Sequence, residues 1–313
     1  MISLLRWLRK KDTDLNTAVV IDGDTIGQAS IHWRNGTPIL TGCLSRSAAD
    51  NSDALEQLAG DAGLAANGCA TVMPLGSYHL LLIEAPEVPA NELRAAVRWR
   101  IRELIDYHID DAVLDVFDAP AGAARGAQTH LYVVVSRSND VKHLADRLLD
   151  AGIELGIIDI PELALRNIAA RLPENEQGVA MLYLGEERGL IALCRDQTLY
   201  LARTLDLGKQ RVLEAIADGH TEAMLDSLAL EVQRSLDYYD RHFQQAPISN
   251  LVIAPVTDPL STLAEALHSR LGINARMLDL STVLEIAAEL PAELTGPCVL
   301  AIGAALRTES KTL

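Results

Sequence analysis

The stretch Ala18-Val-Val-Ile-Asp-Gly-Asp-Thr-Ile-Gly-Gln-Ala-Ser-Ile-His-Trp-Arg-Asn-Gly-Thr-Pro-Ile-Leu-Thr-Gly-Cys43 decides the architecture. From Ala18 to Ile31 the residues alternate toward a strand, a turn at Asp22-Gly23-Asp24 and a second strand. The chain turns again at Asn35-Gly36 and a third strand runs to about Cys43. Asn-Gly between such runs is a strong hairpin signal, because both residues tolerate the positive φ a tight turn needs. Three strands in a meander are therefore expected, then a helix near 53–62 and a strand over 70–73.

The same order returns in the second half. Val179 to Leu184, Gly189 to Cys194 and Leu199 to Leu205 read as a second meander. Helices over 209–217 and 221–243, a strand over 251–254, a helix over 260–271, a strand over 275–278, a helix over 281–289 and a last apolar strand over 299–302 complete it. A meander succeeded by alternating helices and strands, twice in one chain, predicts two mixed-sheet α/β halves facing each other. That is the duplicated actin-like ATPase (ribonuclease H-like) architecture, shared with sugar kinases. Between the halves lies a block with its own strands (80–85, 112–117, 131–136) and helices (90–107, 139–151), joined by a Gly/Ala-rich connector over 119–126. The expected organisation is a basic leader over 1–16, a first half over 17–79 and 151–177, an inserted subdomain over 80–150, a second half over 178–307 and a tail over 308–313.

Composition narrows the function. A net charge of -16 opposes bulk binding to nucleic-acid phosphates. Cys43, Cys69, Cys194 and Cys298 lie far apart and form no metal-ligand spacing or disulfide framework, so buried thiols in a reducing cytosol are expected. His108, Asp110 and Asp111 lack a second His or Cys at ligand spacing and read as a solvated helix end. No apolar run approaches the ~18 to 20 residues of a membrane helix. The leader, Ile2-Ser-Leu-Leu-Arg-Trp-Leu-Arg-Lys-Lys11, has an apolar and a basic side. It reads as a short frayed segment or as a weak membrane or partner anchor.

The most informative helix is Pro89-Ala-Asn-Glu-Leu-Arg-Ala-Ala-Val-Arg-Trp-Arg-Ile-Arg-Glu-Leu-Ile-Asp-Tyr107. Leu93, Val97, Ile101, Leu104 and Ile105 share one side of a 3.6-residue period. Arg94, Arg98 and Arg102 form a stripe beside it, either a solvated face with a pair such as Arg102–Asp106 or a surface for acidic groups. Trp99 falls about 180° from the apolar side, to cover a neighbouring subdomain or receive a partner.

The segment from Pro89 to Asp115 resembles the signature of the type IV pilus assembly protein PilM family. Glu92, Val97, Trp99, Ile105, Tyr107 and Asp115 match by type, while Arg100 and Asp106 replace the family's Glu and Pro. Asp150 to Asp159 with Ala164-Leu165, Glu231-Val-Gln-Arg-Ser-Leu-Asp-Tyr-Tyr239 and Gly303-Ala-Ala-Leu-Arg307 resemble three further family stretches, in order. The resemblance covers about 17 to 307. It implies a cytoplasmic scaffold at the inner face of the inner membrane. It also implies a partner, the N-terminal cytoplasmic tail of a single-pass inner-membrane protein, together with the assembly ATPase. The partner surface would include Arg94, Arg98, Trp99 and Arg102.

The resemblance also implies a Mg-ATP cleft with two phosphate-binding hairpins. Asp22, Gly23 and Thr25 occupy the first, Gly185 the second, and Gly303 stands in the closing motif. Here each loop departs from the family. Asp24 places a charge at the first loop, Tyr183 replaces the second loop's Asp, Glu186 and Glu187 come after Gly185, and Pro255 stands where a glycine pair is usual. Acidic groups near a polyphosphate and a lost backbone N–H both oppose anion binding. The expectation is a chain without catalytic turnover, without metal and without an obligatory cofactor, in which residual nucleotide binding stays open. The rival readings are an active actin-like ATPase or small-molecule kinase, and a self-assembling filament protein.

Overall fold

The computed structural model describes residues 15–47, 53–61, 68–120, 129–255, 262–291 and 294–308. The leader through residue 14, residues 121–126 of the Gly/Ala connector and the tail from residue 309 lie outside them.

Strands β1 (Leu15–Asp22), β2 (Thr25–Arg34) and β3 (Thr37–Ser47) form the first meander. Asp22 pairs with Thr25, leaving Gly23-Asp24 as the loop. Asn35 and Gly36 turn the second hairpin at φ 52° and 81°. Helix α1 (Ala54–Asp61) leads to β4 (Cys69–Val72), parallel to β1. The inserted block comes next: β5 (Tyr78–Glu84), α2 (Ala90–Ile101), β6 (Ala112–Asp118), β7 (His130–Arg137) and α3 (Ser138–Asp150). Strand β8 (Leu155–Asp159) then rejoins the first sheet beside β4, and α4 (Pro161–Ala169) closes this half.

The second half runs β9 (Val179–Leu184), β10 (Gly189–Arg195), β11 (Thr198–Leu205), α5 (Lys209–Ala217), α6 (Thr221–Phe243), β12 (Asn250–Ile253), α7 (Leu263–Leu271), β13 (Asn274–Met277), β14 (Glu285–Ile286) and α8 (Gly296–Ala305). The strand orders are β14-β3-β2-β1-β4-β8 and β11-β10-β9-β12-β13. With β14 set aside the two are the same order, a meander and then two parallel strands. The duplicated α/β fold is therefore present. The inserted strands form their own sheet, β5-β7-β6.

Helices α4 and α8 hold equivalent places in the two halves and pack against each other between the sheets. One core runs through them, with Val20, Ala29, Leu165, Ile168, Met181, Ala192, Val299 and Ile302 from both halves. A Cβ on Gly303 would stand 2.3 Å from the Ala164 carbonyl oxygen, so glycine sets the helix separation there. A second core covers the outer side of the second sheet with α5, α6 and α7, and a third covers the first sheet with α1 and α3. Helix α2 packs Val97 and Ile101 on the inserted sheet. All four cysteines are buried.

Three elements differ from the sequence reading. The expected strand over 299–302 lies inside α8, whose residues from Pro297 to Ala305 are all buried. A helix apolar on every side loses its 3.6 period and mimics a core strand. The expected helix over 281–289 is a 3-10 turn (Leu280–Thr282) and then β14. The Asp279 carboxylate caps that turn at the Ser281 amide, 2.9 Å away, and the amides of Ala287 and Ala288 then bond to Leu40 O at the β3 edge. The expected helix over 90–107 stops at Ile101, so Leu104 projects into solvent instead of joining the apolar side.

Candidate functional site

The cleft between the halves is built where the first hairpin tip meets the loop after β9. Asp22 ends β1 and Tyr183 is the penultimate residue of β9. The Tyr183 hydroxyl donates to Asp22 Oδ2 at 2.9 Å, and the Glu186 amide donates to the same oxygen at 3.0 Å. A Cβ on Gly185 would lie 2.8 Å from that oxygen, so only glycine lets the loop close on Asp22. Gly23 meets the Glu186 side chain in the same way, with a Cβ position 3.0 Å from Cγ. The amides of Lys209 and Gln210, at the start of α5, bond to the carbonyls of Gly185 and Glu186. On the far wall the Ser45 and Thr295 hydroxyls lie 3.1 Å apart and tie β3 to the start of α8.

What remains between these groups is a cavity of about 40 Å³ lined by Asp22, Thr25, Glu186, Lys209, Pro255, Leu294, Thr295, Gly296 and Pro297. Tyr183 is fully buried beneath it. Burial first, then the Asp22 charge, holds its phenol well above the ordinary tyrosine range, so it stays a donor to Asp22.

The structure thus brings together Asp22, Gly23, Thr25 and Gly185 of the expected cleft residues. Gly303 is not among them. It lies seven residues into α8, about 10 Å along the axis from Gly296, where its carbonyl accepts the Asn167 side-chain amide at 2.9 Å. The place at the cleft belongs to Gly296 and Pro297. Lys209 escaped notice in the sequence because only the fold brings the start of α5 to the hairpin tip.

On α2 the four expected partner residues divide. Arg94 Nη2 donates to Leu114 O at 3.1 Å. Arg98 donates to Ala112 O at 3.3 Å and Ile109 O at 2.6 Å. Both guanidiniums bind the strand and turn beside the helix. Arg102 lies over the Trp99 ring at 4.9 Å and near Glu103 at 3.5 Å. The expected Arg102–Asp106 pair does not form, because α2 has ended and Asp106 turns to Arg137 at 3.1 Å. Trp99 is 72% exposed and covers no neighbouring subdomain.

Polar contacts tie the inserted sheet to the rest of the chain. Tyr132 on β7 donates its hydroxyl to Tyr200 O on β11 at 2.7 Å. Tyr78, which opens β5, donates to the buried Glu162 at the start of α4 at 2.5 Å. Sequence spacing gave no sign of the second contact, since its residues stand 84 positions apart.

The two facing halves, the helix pair between them and the hairpin-tipped cleft define the class, the actin-like ATPase fold. No family model matches the sequence, and no curated protein matches it. Among solved structures, the chain is similar to the PilM–PilN type IV pilus biogenesis complex. The TM-score is 0.77 at 21% identity, over 93% of this chain and 97% of that one. It is also similar to the cytoplasmic domain of EpsL, an inner-membrane component of the Vibrio cholerae type II secretion system. There the TM-score is 0.50 at 12% identity, over 94% and 96%. The ethanolamine utilization protein EutJ of Carboxydothermus hydrogenoformans gives a TM-score of 0.50 at 14% identity, over 93% and 89%. Among the described residues no helix is long and apolar enough to cross a membrane.

Proposed function

We propose that this chain is a non-catalytic scaffold of type IV pilus assembly that binds the N-terminal cytoplasmic tail of a single-pass inner-membrane partner. The observation that carries the reading is near end-to-end similarity, at a TM-score of 0.77, to a protein solved in a pilus biogenesis complex. Within the PilM family the arginine-rich Trp99 helix, the run Leu104 to Asp111 and the entry Met73 to Tyr78 look most like MshI, the biogenesis protein of mannose-sensitive haemagglutinin pili. The place of action is then the cytoplasmic face of the inner membrane. Of the four arginine and tryptophan positions, Trp99 and Arg102 are the ones left to meet a partner.

The cleft geometry favours the non-catalytic form of this reading. A nucleotide needs a pocket of roughly 300 Å³ or more, against the cavity of about 40 Å³ here. Asp22, the residue that would steer a metal ion through water, is engaged by Tyr183 and the Glu186 amide. The residues present do not fit Mg-ATP without a change of conformation that breaks both bonds.

Calorimetry with N-terminal peptides of the single-pass proteins encoded beside this chain tests the scaffold. Saturable binding by one of them is expected, and no binding by any would sink it. Mg-ATP is expected to shift the melting temperature by less than a degree. Stabilisation by several degrees would favour the active-ATPase reading instead.

A further inference from the structure

Glu162 is the second residue of α4 and is 2% exposed. Its carboxylate accepts from Tyr78 on β5. Beside it, at the end of β8, stands Asp159, also buried. Asp159 accepts Arg307 Nη1 at 2.9 Å and the Ile160 amide at 2.9 Å. The other groups near the pair are Arg166 on the next turn of α4, which attracts Asp159, and the Tyr132 phenol on β7, kept neutral chiefly by burial and in smaller part by the Glu162 charge.

Two carboxylates are thus buried side by side, and the cations favour one of them. Burial raises the Asp159 carboxyl as well, but Arg307, its direct partner, and Arg166 oppose that rise and favour its charge. Glu162 has a neutral phenol. A second buried negative charge beside the first is costly unless it is paired, so the unfavoured member keeps its proton. Burial, more than any neighbour, raises Glu162 to about 7, with the Asp159 charge adding to it. Tyr78 remains a donor throughout, since burial and these two carboxylates hold its phenol well above the ordinary range.

We propose that Glu162 is a proton-operated latch: protonated, it keeps the start of the inserted sheet seated on the first half, and on ionising it favours release of that seat. Release lets water reach the new charge where Tyr78, at the start of the inserted sheet, bonds to α4. Linkage sets the sign. A carboxyl whose folded value lies above its unfolded one stabilises the closed form at low pH and loses that contribution as pH rises through the folded value. Between the open-form value, near 4.5, and the closed value, about 7, the opening equilibrium should grow by up to tenfold per pH unit, and above that it should level off. The latch is independent of what the scaffold binds.

The test is hydrogen exchange on the full chain from pH 5.5 to 8.5, corrected for intrinsic rates, with wild type and Glu162→Gln compared. In wild type, protection over 78–84 and 130–137 should fall relative to 179–195 as pH rises from 5.5 to about 7, and level off above that. In Glu162→Gln it should stay level. Equal slopes in the two proteins would overturn the latch, as would equal loss in both regions. If Glu162→Gln does not fold, Tyr78→Phe serves. It removes a bond that favours the ionised form, so the fall should run on to higher pH before it levels off, and an unmoved end point would overturn the proposal.

Discussion

The two halves share a strand order but differ in the helices that cover it. In the second half a 23-residue helix, α6, and then α7 cover the sheet. In the first half an 8-residue helix, α1, does less covering, and the chain departs between β4 and β8 to build the inserted sheet. Exposure tracks that split. Leu82, Val88, Trp99, Leu104, Val113 and Leu149, all in the insertion, are six of the eleven large hydrophobics left exposed among the described residues. Strands β9 and β10, by contrast, are buried at every position. Where the halves repeat, apolar residues serve the core. Where they diverge, apolar surface remains for something else.

The comparison breaks first, and hardest, at the seam the halves share. Gly303→Val places side-chain atoms where even a Cβ would meet the Ala164 backbone at 2.3 Å. Backbone cannot retreat as a flexible side chain can, so α4 and α8 must separate and the common core with them. Destabilisation of roughly 4 kcal/mol or more is expected, read as insolubility or a collapsed denaturation midpoint. A loss under about 1 kcal/mol would mean that the halves do not depend on this contact.

The cleft gives the next effect. Tyr183→Phe leaves the ring in place and removes the donor to Asp22, so the carboxylate keeps only the Glu186 amide. The cost of an unmet buried hydrogen bond is about 1–3 kcal/mol, measurable by urea denaturation. Under the scaffold reading no ATP hydrolysis should appear in the variant. If stability is unchanged and Mg-ATP binding rises, the Asp22–Tyr183 bond is a gate instead of a staple.

How far the sequence reached depends on the range of the interaction. The first meander was legible because turn chemistry is local, as at Asn35-Gly36, and the second from its short apolar runs. The turn between β10 and β11 had no such sign. Asp196 and Gln197 hold φ of 48° and 64° there without a glycine, because the fully buried β10 fixes its neighbour. Helix α6 was legible over its full length from its period. Helix α8 was not, because burial on every side erases the period. At the candidate cleft Asp22, Gly23, Thr25 and Gly185 were named from the resemblance to the family's phosphate-binding loops, and the fold places them together at the hairpin tips. Gly303 was misplaced, because a closing Gly-Ala-Ala-Leu-Arg motif does not say which turn of α8 faces the cleft. The Tyr78–Glu162 contact was out of reach, since packing alone joins two residues so distant in the chain.

The smallest effect on stability is expected at Trp99, and it sharpens the comparison most. An indole 72% exposed has little burial to lose. Its intramolecular contact is the Arg102 guanidinium over the ring, and exposed cation–π pairs contribute about 0.5–1 kcal/mol. Trp99→Ala should therefore shift the denaturation midpoint by less than about 1 kcal/mol. If the α2 surface meets a partner, the same variant should weaken peptide or assembly-ATPase binding by far more than it weakens the fold, because a central aromatic often dominates a binding surface. Arg102→Ala should weaken binding in the same direction, and Arg94→Ala should instead lower stability, because its guanidinium bonds to Leu114 O. Should Trp99→Ala destabilise the fold strongly and leave every interaction intact, the exposed residues of the insertion would belong to its own packing, and the contrast between the halves would be one of construction alone.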